Sequence, residues 1–481
     1  MKFECDVCVV GAGPAGATYA TRMAQMGRQV LLLERSSFPR PHVGEAMSPA
    51  VWDLLDVSGA RTAVEALGVV KTPHARVRWV DGKVTLVASP GGRPGFTVDR
   101  ARFDSALLEK ARSAGVAVMQ PASASYPRRT RWGWQIRLSG SPGPASVLAR
   151  FLADATGRTG LLKGRRVRTS PPTLCLDGLW TYERANNRDV HVETRSEGWY
   201  WAAPLPGHAV RVMAFIDPDW LRRQRVRRAD LDGFYCNLLL KTAILSALKG
   251  PSLNGQVTAR DATCYFDDAP IDKTFIKVGE AAFAIDPLSS SGVQTALQTA
   301  LAGSVASNTI LGGGDVAAAI DFYSDGQRRS VLQHAAWAGR HYSEHRRYRN
   351  EAFWRRRALQ PIKAPPPPSR VQTTAEAGET LQLARGVRIV RVPCAVGDRV
   401  EMREAVYHPG LTRPVAFLNG ADLVPLVREL TSPASPAGPR PGENISDEVR
   451  DSTTSWLVRH GVLEAIDAES TSAESYQLLL G

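Results

Sequence analysis

Four apolar residues, Val7-Cys-Val-Val10, run without a break into Gly11-Ala-Gly-Pro-Ala-Gly16, and no other stretch of the chain constrains its fold as strongly. A short apolar run without alternation reads as a strand buried on both faces, as in a parallel sheet. Ala17 to Met26 then reads as a helix that Gly27 stops, and Val30-Leu-Leu-Leu33 is a second buried strand ending in Glu34-Arg35. Each glycine has its own physical task. Gly11 permits a tight turn, Gly13 lets backbone N–H groups approach a pyrophosphate, and Gly16 lets helix and strand pack closely. Pro14 and Ala15 of this turn are counted with the cofactor-binding residues, and the helix N-terminus turns its positive end toward the phosphates. Glu34 lies 18 residues beyond Gly16, at the end of the next strand, where a carboxylate takes the ribose hydroxyls, with Arg35 beside it. The whole strand–turn–helix–strand unit predicts an α/β protein that binds a dinucleotide.

The rest of the composition excludes several classes. Hydrophobic residues make up 43% and charged residues 22%, an ordinary globular balance. No apolar run reaches the ~20 residues a membrane span needs. The start, Met1-Lys-Phe-Glu-Cys-Asp6, has no apolar secretory core, so a cytoplasmic location is expected. Six cysteines are too few for a disulfide scaffold, and Cys5 and Cys8 read as buried strand residues rather than a zinc or redox pair. The net charge of +13 favours an anionic partner. It is concentrated in Arg222, Arg223, Arg225, Arg227 and Arg228, and again in Arg340, Arg346, Arg347, Arg349, Arg355, Arg356 and Arg357. Each cluster reads as a solvated helix face, although Tyr342, Tyr348, Phe353 and Trp354 are interleaved with the second. No zinc-finger, RNA-recognition or homeodomain pattern accompanies them, so nucleic acid is not an expected partner.

Residues 1–313 alternate strand and helix patterns, and 314–363 read as a basic helical segment. Ala364-Pro-Pro-Pro-Pro-Ser369 opens a stiff linker over 364–378. The remaining 379–481 form a small unit, with strands expected at 386–392 and 413–420 and helices at 421–430 and 447–459. A low-complexity loop, 432–442, interrupts it. This order suggests a winged-helix-like α+β domain.

Four further segments carry a resemblance. Phe38-Pro-Arg-Pro-His-Val-Gly-Glu-Ala-Met47 is similar to the segment that passes beside the flavin in flavin-dependent halogenases and related monooxygenases. Val98-Asp-Arg-Ala-Arg-Phe-Asp104 and Phe151-Leu-Ala-Asp-Ala-Thr-Gly-Arg158 resemble two other parts of that FAD fold. Val278-Gly-Glu-Ala-Ala-Phe-Ala-Ile-Asp-Pro-Leu-Ser-Ser-Ser-Gly-Val293 resembles its second flavin motif, with Glu280 where the family carries aspartate. The resemblance spans roughly Cys5 to Leu311. It implies FAD as cofactor and a Rossmann-like, glutathione-reductase-type domain with an interleaved β-sheet substrate domain, roughly 71–98 and 165–275. It assigns cofactor binding to Arg40, Gly44, Glu45, Arg100, Asp154, Glu280, Asp286, Pro287, Gly292 and Val293, beside Gly11 to Gly16, Glu34 and Arg35. Only one dinucleotide fingerprint is present, since Gly312-Gly-Gly314 reads as a turn, so electrons are expected from transiently bound NAD(P)H or a separate flavin reductase.

Within that superfamily, Glu197-Gly-Trp-Tyr-Trp-Ala-Ala-Pro-Leu205 resembles the halogenase signature at Trp199, Trp201 and Pro204, with Ala203 in place of isoleucine. These three are expected in the substrate pocket, although core packing is an equally simple role for the tryptophans. Lys71 falls where halogenases keep their catalytic lysine. His42 and His74 lie in segments expected near the flavin but receive no catalytic role. The small C-terminal unit is distantly similar to peptide-binding modules of enzymes that modify ribosomally made peptides, with a plain stability or dimerisation lobe as the equal alternative. Together these features resemble the flavoprotein monooxygenases that hydroxylate a peptidyl tryptophan during tryptophylquinone biogenesis. That resemblance implies oxygen transfer from a flavin C4a-hydroperoxide to a tryptophan in a protein or peptide partner, with halogenation of a tethered aromatic as the alternative.

Overall fold

The structure of the protein is a computed structural model describing residues 2–40, 42–88, 92–140, 145–185, 189–358, 381–431 and 446–465. The proline-rich linker and the 432–442 loop lie outside the described residues. The chain forms two compact units, 1–363 and 364–481.

In the first unit, the strand Lys2–Val10 lies at the centre of a seven-stranded sheet. It pairs in parallel with Val30–Leu33 on one side and Ser146–Asp154 on the other. The helix Pro14–Gln25 connects the first two strands. The expected helix was placed three residues late, because Pro14 occupies its first turn, where a missing N–H costs nothing. Cys5 and Cys8 are buried in this sheet.

A second, seven-stranded sheet is interleaved with the first in sequence. Its order is Ser252–Asp261, Leu174–Thr181, Ala209–Ile216, Gly198–Leu205, Val190–Arg195, His74–Arg78 and Thr85–Ala88. Period-two alternation divides its side chains between two cores. On one face Tyr200, Ala202, Val212 and Ala214 pack against the helix Leu231–Leu239 through Tyr235 and Leu238. On the other, Trp199, Trp201, Met213 and Phe215 meet Ala338, Tyr342, Phe353 and Trp354. The latter belong to the helices Val316–Glu344 and Ala352–Ala358, so the basic helical segment is amphipathic. Arg346, Arg347, Arg349, Arg355 and Arg356 are solvated as expected, whereas Arg357 is buried against Phe353.

The second unit has a core of Leu381, Val406, Leu423, Val427, Leu457 and Leu463. Its two expected helices are present as Leu423–Thr431 and Asp447–Arg459. The strand expected at 386–392 is one arm of a hairpin, Arg388–Val396 with Arg399–Tyr407. Gly397, at φ +55°, makes the tight turn that sequence reading missed. The strand expected at 413–420 is reduced to Phe417–Leu418.

Candidate active site

The three fingerprint glycines differ in what surrounds them. Gly11 has φ +102°, and a Cβ there would lie 2.4 Å from the Ala155 carbonyl oxygen. A Cβ on Gly16 would lie 1.8 Å from the Gly11 oxygen. These two are demanded by protein packing alone. Gly13 is different, because a Cβ there would meet only the Arg40 Nη2, at 3.8 Å. The space over the start of the helix is therefore free of protein, with one guanidinium at its edge. The Arg40 Nε is buried and without a hydrogen-bond partner. A free cradle at a helix N-terminus, edged by a guanidinium whose Nη2 lies 3.8 Å from Asp104 Oδ2, fits a pyrophosphate. At the next strand end, Glu34 is buried and its Oε2 accepts the Ala12 N–H at 2.9 Å. Arg35 is exposed beside it.

The flavin segment is held from three sides. Arg100 is buried, donates through Nε to Asp104 Oδ1 at 2.9 Å, and donates through Nη1 to the Val43 carbonyl. Gly44 has φ +95°, and a Cβ there would come 2.9 Å from the Arg100 Nη1 and 4.0 Å from Val293 Cγ2. Arg100, Gly44 and Val293 are thus brought together. Gly292 and Val293 begin the helix Gly292–Leu311, and Gln294 accepts the Ser48 hydroxyl at 2.6 Å. Gly279, at φ +61°, lies so close to the dinucleotide helix that a Cβ would strike Ala15 Cβ at 2.8 Å. Both flavin motifs therefore meet at one helix start. His42 Nδ1 donates to the Val43 carbonyl at 2.9 Å, and burial, aided by the Arg100 charge, holds its pKa down to about 4.

Other sequence candidates act through the backbone. Asp154 is fully buried, and its two oxygens accept Thr156, Leu161 and Leu162 N–H groups, so it shapes the turn after its strand. Glu280 is exposed and paired with Arg158 at 3.1 Å. Asp286 caps the short turn through Pro287 by accepting the Leu288 N–H at 3.0 Å, and burial raises its pKa.

Two connections join this flavin region to the substrate sheet. Glu45 is 1% exposed, and burial raises its pKa against the pull of Arg211. Its Oε1 accepts Arg211 Nε at 2.8 Å, and Arg211 Nη1 lies 3.4 Å from Asp177 Oδ1. The other connection is a chain in which Trp199 Nε1 donates to Tyr342 Oη at 3.1 Å and Tyr342 donates to Asp286 at 3.2 Å. Trp199 also stacks on Phe215 at 4.0 Å. Trp201 is buried on the same face with its Nε1 unpartnered, and the Pro204 carbonyl accepts the Thr97 hydroxyl. Val43, Ala46 and Leu288 of the flavin segments border this aromatic core. Both tryptophans therefore pack as core residues on the face that borders the flavin segments. Lys71 is exposed on the strand Val70–Thr72, which pairs with Gly95–Thr97, itself paired with Ala46–Met47.

Arg211, Asp177 and Tyr342 were not anticipated. A single charge inside an otherwise apolar strand, Leu-Cys-Leu-Asp177 or Ala-Val-Arg211-Val, is the signal that marks the first two. Aromatic residues interleaved with the arginines mark the third.

Comparison with known proteins adds to this geometry. The family model described as FAD dependent oxidoreductase matches residues 6–168, and that described as Tryptophan halogenase matches 88–387. The chain is 30% identical over 373 residues to a tryptophan 2-halogenase of Chondromyces crocatus, covering 74% of this chain and 70% of the relative. It is 26% identical to the FAD-dependent oxidoreductase LodB of Marinomonas mediterranea, covering 73% of this chain and 96% of that one. Among solved structures, the peptidyl tryptophan dihydroxylase QhpG, essential for tryptophylquinone cofactor biogenesis, is similar with TM-score 0.71 and 26% identity. That match covers 95% of this chain and 99% of QhpG. Among the described residues no helix is long and apolar enough to cross a membrane, and no cluster of His, Cys, Asp and Glu could hold a metal ion.

Proposed function

Because this chain belongs to the tryptophan halogenase family of FAD-dependent oxidoreductases, we propose that it uses FAD to hydroxylate an aromatic ring, a tryptophan held in a protein or peptide. The observation that carries this reading is the extent of the similarity to a peptidyl tryptophan dihydroxylase, which runs through 95% of the chain. The wall of Trp199, Phe215 and Trp201 supports it, since an apolar, water-excluding surface protects a reactive oxidant. Bound FAD supplies the activation of O₂, with electrons from NAD(P)H or a separate reductase. Gly13, Arg40 and the helix N-terminus hold the pyrophosphate, Glu34 the ribose, and Arg100 with Gly292 and Val293 the segments beside the ring. Glu280, Asp286 and Pro287 complete the cofactor site from the second motif, with Asp154 shaping the turn beneath it. Trp199, Trp201 and Pro204 form the substrate side. The net charge of +13 favours an acidic partner, and a cytoplasmic location fits a reducing pool of nicotinamide.

Halogenation of a tethered aromatic is the second reading, favoured by the 30% identity to a tryptophan 2-halogenase. Lys71 separates the two. A lysine that hands on hypohalous acid works best desolvated, whereas Lys71 is exposed. As a proton donor at the substrate entrance, its replacement in Lys71→Ala lowers hydroxylation by about 10²-fold and leaves FAD bound. The deciding measurement is mass spectrometry of a tryptophan-bearing protein or peptide after turnover with reductant, O₂ and halide. Gain of oxygen alone supports hydroxylation, and a halogen isotope pattern overturns it.

A further inference from the structure

The two large sheets end in four outermost strands, with the three-residue Phe275–Lys277 as a side branch on Ser146–Asp154, and three of the four are protected in ordinary ways. Ser123–Thr130 carries Pro127, Arg128 and Arg129. Ser252–Asp261 is polar, and its register shifts opposite Asp177 and Leu179. Ala117–Met119 is only three residues long. Proline, charge, bulges and brevity are the devices by which soluble sheets avoid pairing with other chains. The fourth edge, Thr85–Ala88, is four residues long and carries no proline, charge or bulge. All four residues are exposed, and Leu86 and Val87 are 55% and 48% exposed. Val80 and Val84 of the same hairpin are also exposed.

Its surroundings are basic. Lys83 is exposed in the turn, Arg78 lies at the end of the paired strand, and Arg346 and Arg347 sit against the turn through Val80 and Gly82. Of the acids nearby, Asp81 is exposed, Asp189 is bound by Arg76 at 2.7 Å, and Glu344 lies 3.2 Å from His341. The position of the edge is as telling as its chemistry. Ala88 pairs with His74, and His74 is three residues beyond Lys71, a separation of at most about 10 Å along the chain.

We infer that an acidic, extended segment of the partner protein adds as a further strand along Thr85–Ala88. Main-chain hydrogen bonds and the Leu86 and Val87 side chains give affinity, while Lys83, Arg346 and Arg347 select acidic flanks. A segment seated there carries its continuation past Ala88 toward Lys71. This inference rests on the proposed action on a protein-held tryptophan, of which it names the docking edge.

The test uses the full-length FAD-loaded protein and two short synthetic peptides, each with one tryptophan among alternating valines and glutamates or alternating valines and lysines. Calorimetry is expected to give binding of the glutamate peptide at least about 10-fold tighter than the lysine peptide, an advantage that salt removes. Leu86→Glu with Val87→Glu is expected to abolish it while FAD content and melting temperature stay unchanged. In the wild-type protein, backbone amides in Thr85–Ala88 slow in hydrogen exchange when the glutamate peptide is present, which holds even if the double variant folds poorly. Equal binding of both peptides, binding of neither, or unchanged exchange in this strand overturns the docking edge. The hydroxylation reading is judged separately, by the mass gained by the tryptophan. Oxygen gain without protection of this strand leaves that reading standing and removes only the edge.

Discussion

Ala12 and Glu34, which meet under the dinucleotide cradle, are 22 positions apart, whereas Glu45 and Arg211, which meet at the substrate sheet, are 166 apart. In the first region, the chain makes its turn from one continuous strand–turn–helix–strand unit, where backbone packs directly on backbone. In the second, side chains from six separate segments converge, and buried charges and aromatic contacts do the joining. The first tolerates no added atoms at Gly11 and Gly16 because backbone touches backbone there. The second depends on charge pairing, so it tolerates changes of shape better than a missing partner.

The strongest way to break this contrast is at Gly16. A valine there drives a side chain into the Gly11 carbonyl, 1.8 Å from its first carbon, and no rotamer relieves that. Gly16→Val is expected to give no soluble folded protein, read by expression and circular dichroism. Next comes Arg211→Met, which strands Glu45 and Asp177 in the interior without their shared cation. Breaking a buried ion pair from one side costs about 3–5 kcal/mol, so chemical denaturation should shift by that amount while Arg211→Lys recovers part of it. A loss under 1 kcal/mol would place the cluster in solvent and dissolve the contrast.

Gly13→Val then sharpens the meaning of the cradle. Its Cβ has room in the protein, so the fold should survive, while FAD affinity drops because the pyrophosphate has lost its approach. The expected preparation is folded, colourless and restored only at high added FAD, measured by flavin absorbance per protein. A yellow, fully loaded variant would detach the pyrophosphate from this turn.

The same contrast explains what was legible in the sequence. Gly11, Gly13, Gly16 and Glu34 stand at fixed short spacings because one local unit sets their geometry, so each could be assigned a task from order alone. Arg100 and the second flavin motif were legible only through resemblance, since their meeting at Gly44 and Ala15 is a tertiary event. Arg211 and Asp177 were missed because nothing local announces which strands will become neighbours, and a lone charge in an apolar strand names no partner. The tail hairpin was half-read for a similar reason, as Arg399–Tyr407 alternates too weakly in apolar character to stand out. Tyr342 was hidden in a segment whose arginines suggested only a solvated face.

Tyr342→Phe tests that hidden residue with a smaller effect. It removes the one hydroxyl that accepts from Trp199 and donates to Asp286, leaving both buried groups without that partner. The expected loss is about 1–3 kcal/mol with FAD still bound, read by denaturation of the holoprotein.

The smallest expected effect is a dependence on pH at His42. Its folded-state pKa of about 4 lies below the ordinary 6.5, because burial and the neighbouring Arg100 both disfavour a second proton. The folded state thus resists protonation that the unfolded chain accepts. The His42 contribution is fully present above pH 6.5 and is lost as the pH falls toward 4. Near pH 5.5 the loss is about 1 kcal/mol, set by how much more often the unfolded imidazole carries the proton. His42→Gln keeps a donor for the Val43 carbonyl but cannot titrate, so its stability should fall less between pH 7 and pH 5.5 than that of the wild type. Parallel pH curves for the two proteins would mean that His42 is solvated and that the flavin segment is open to water on this side.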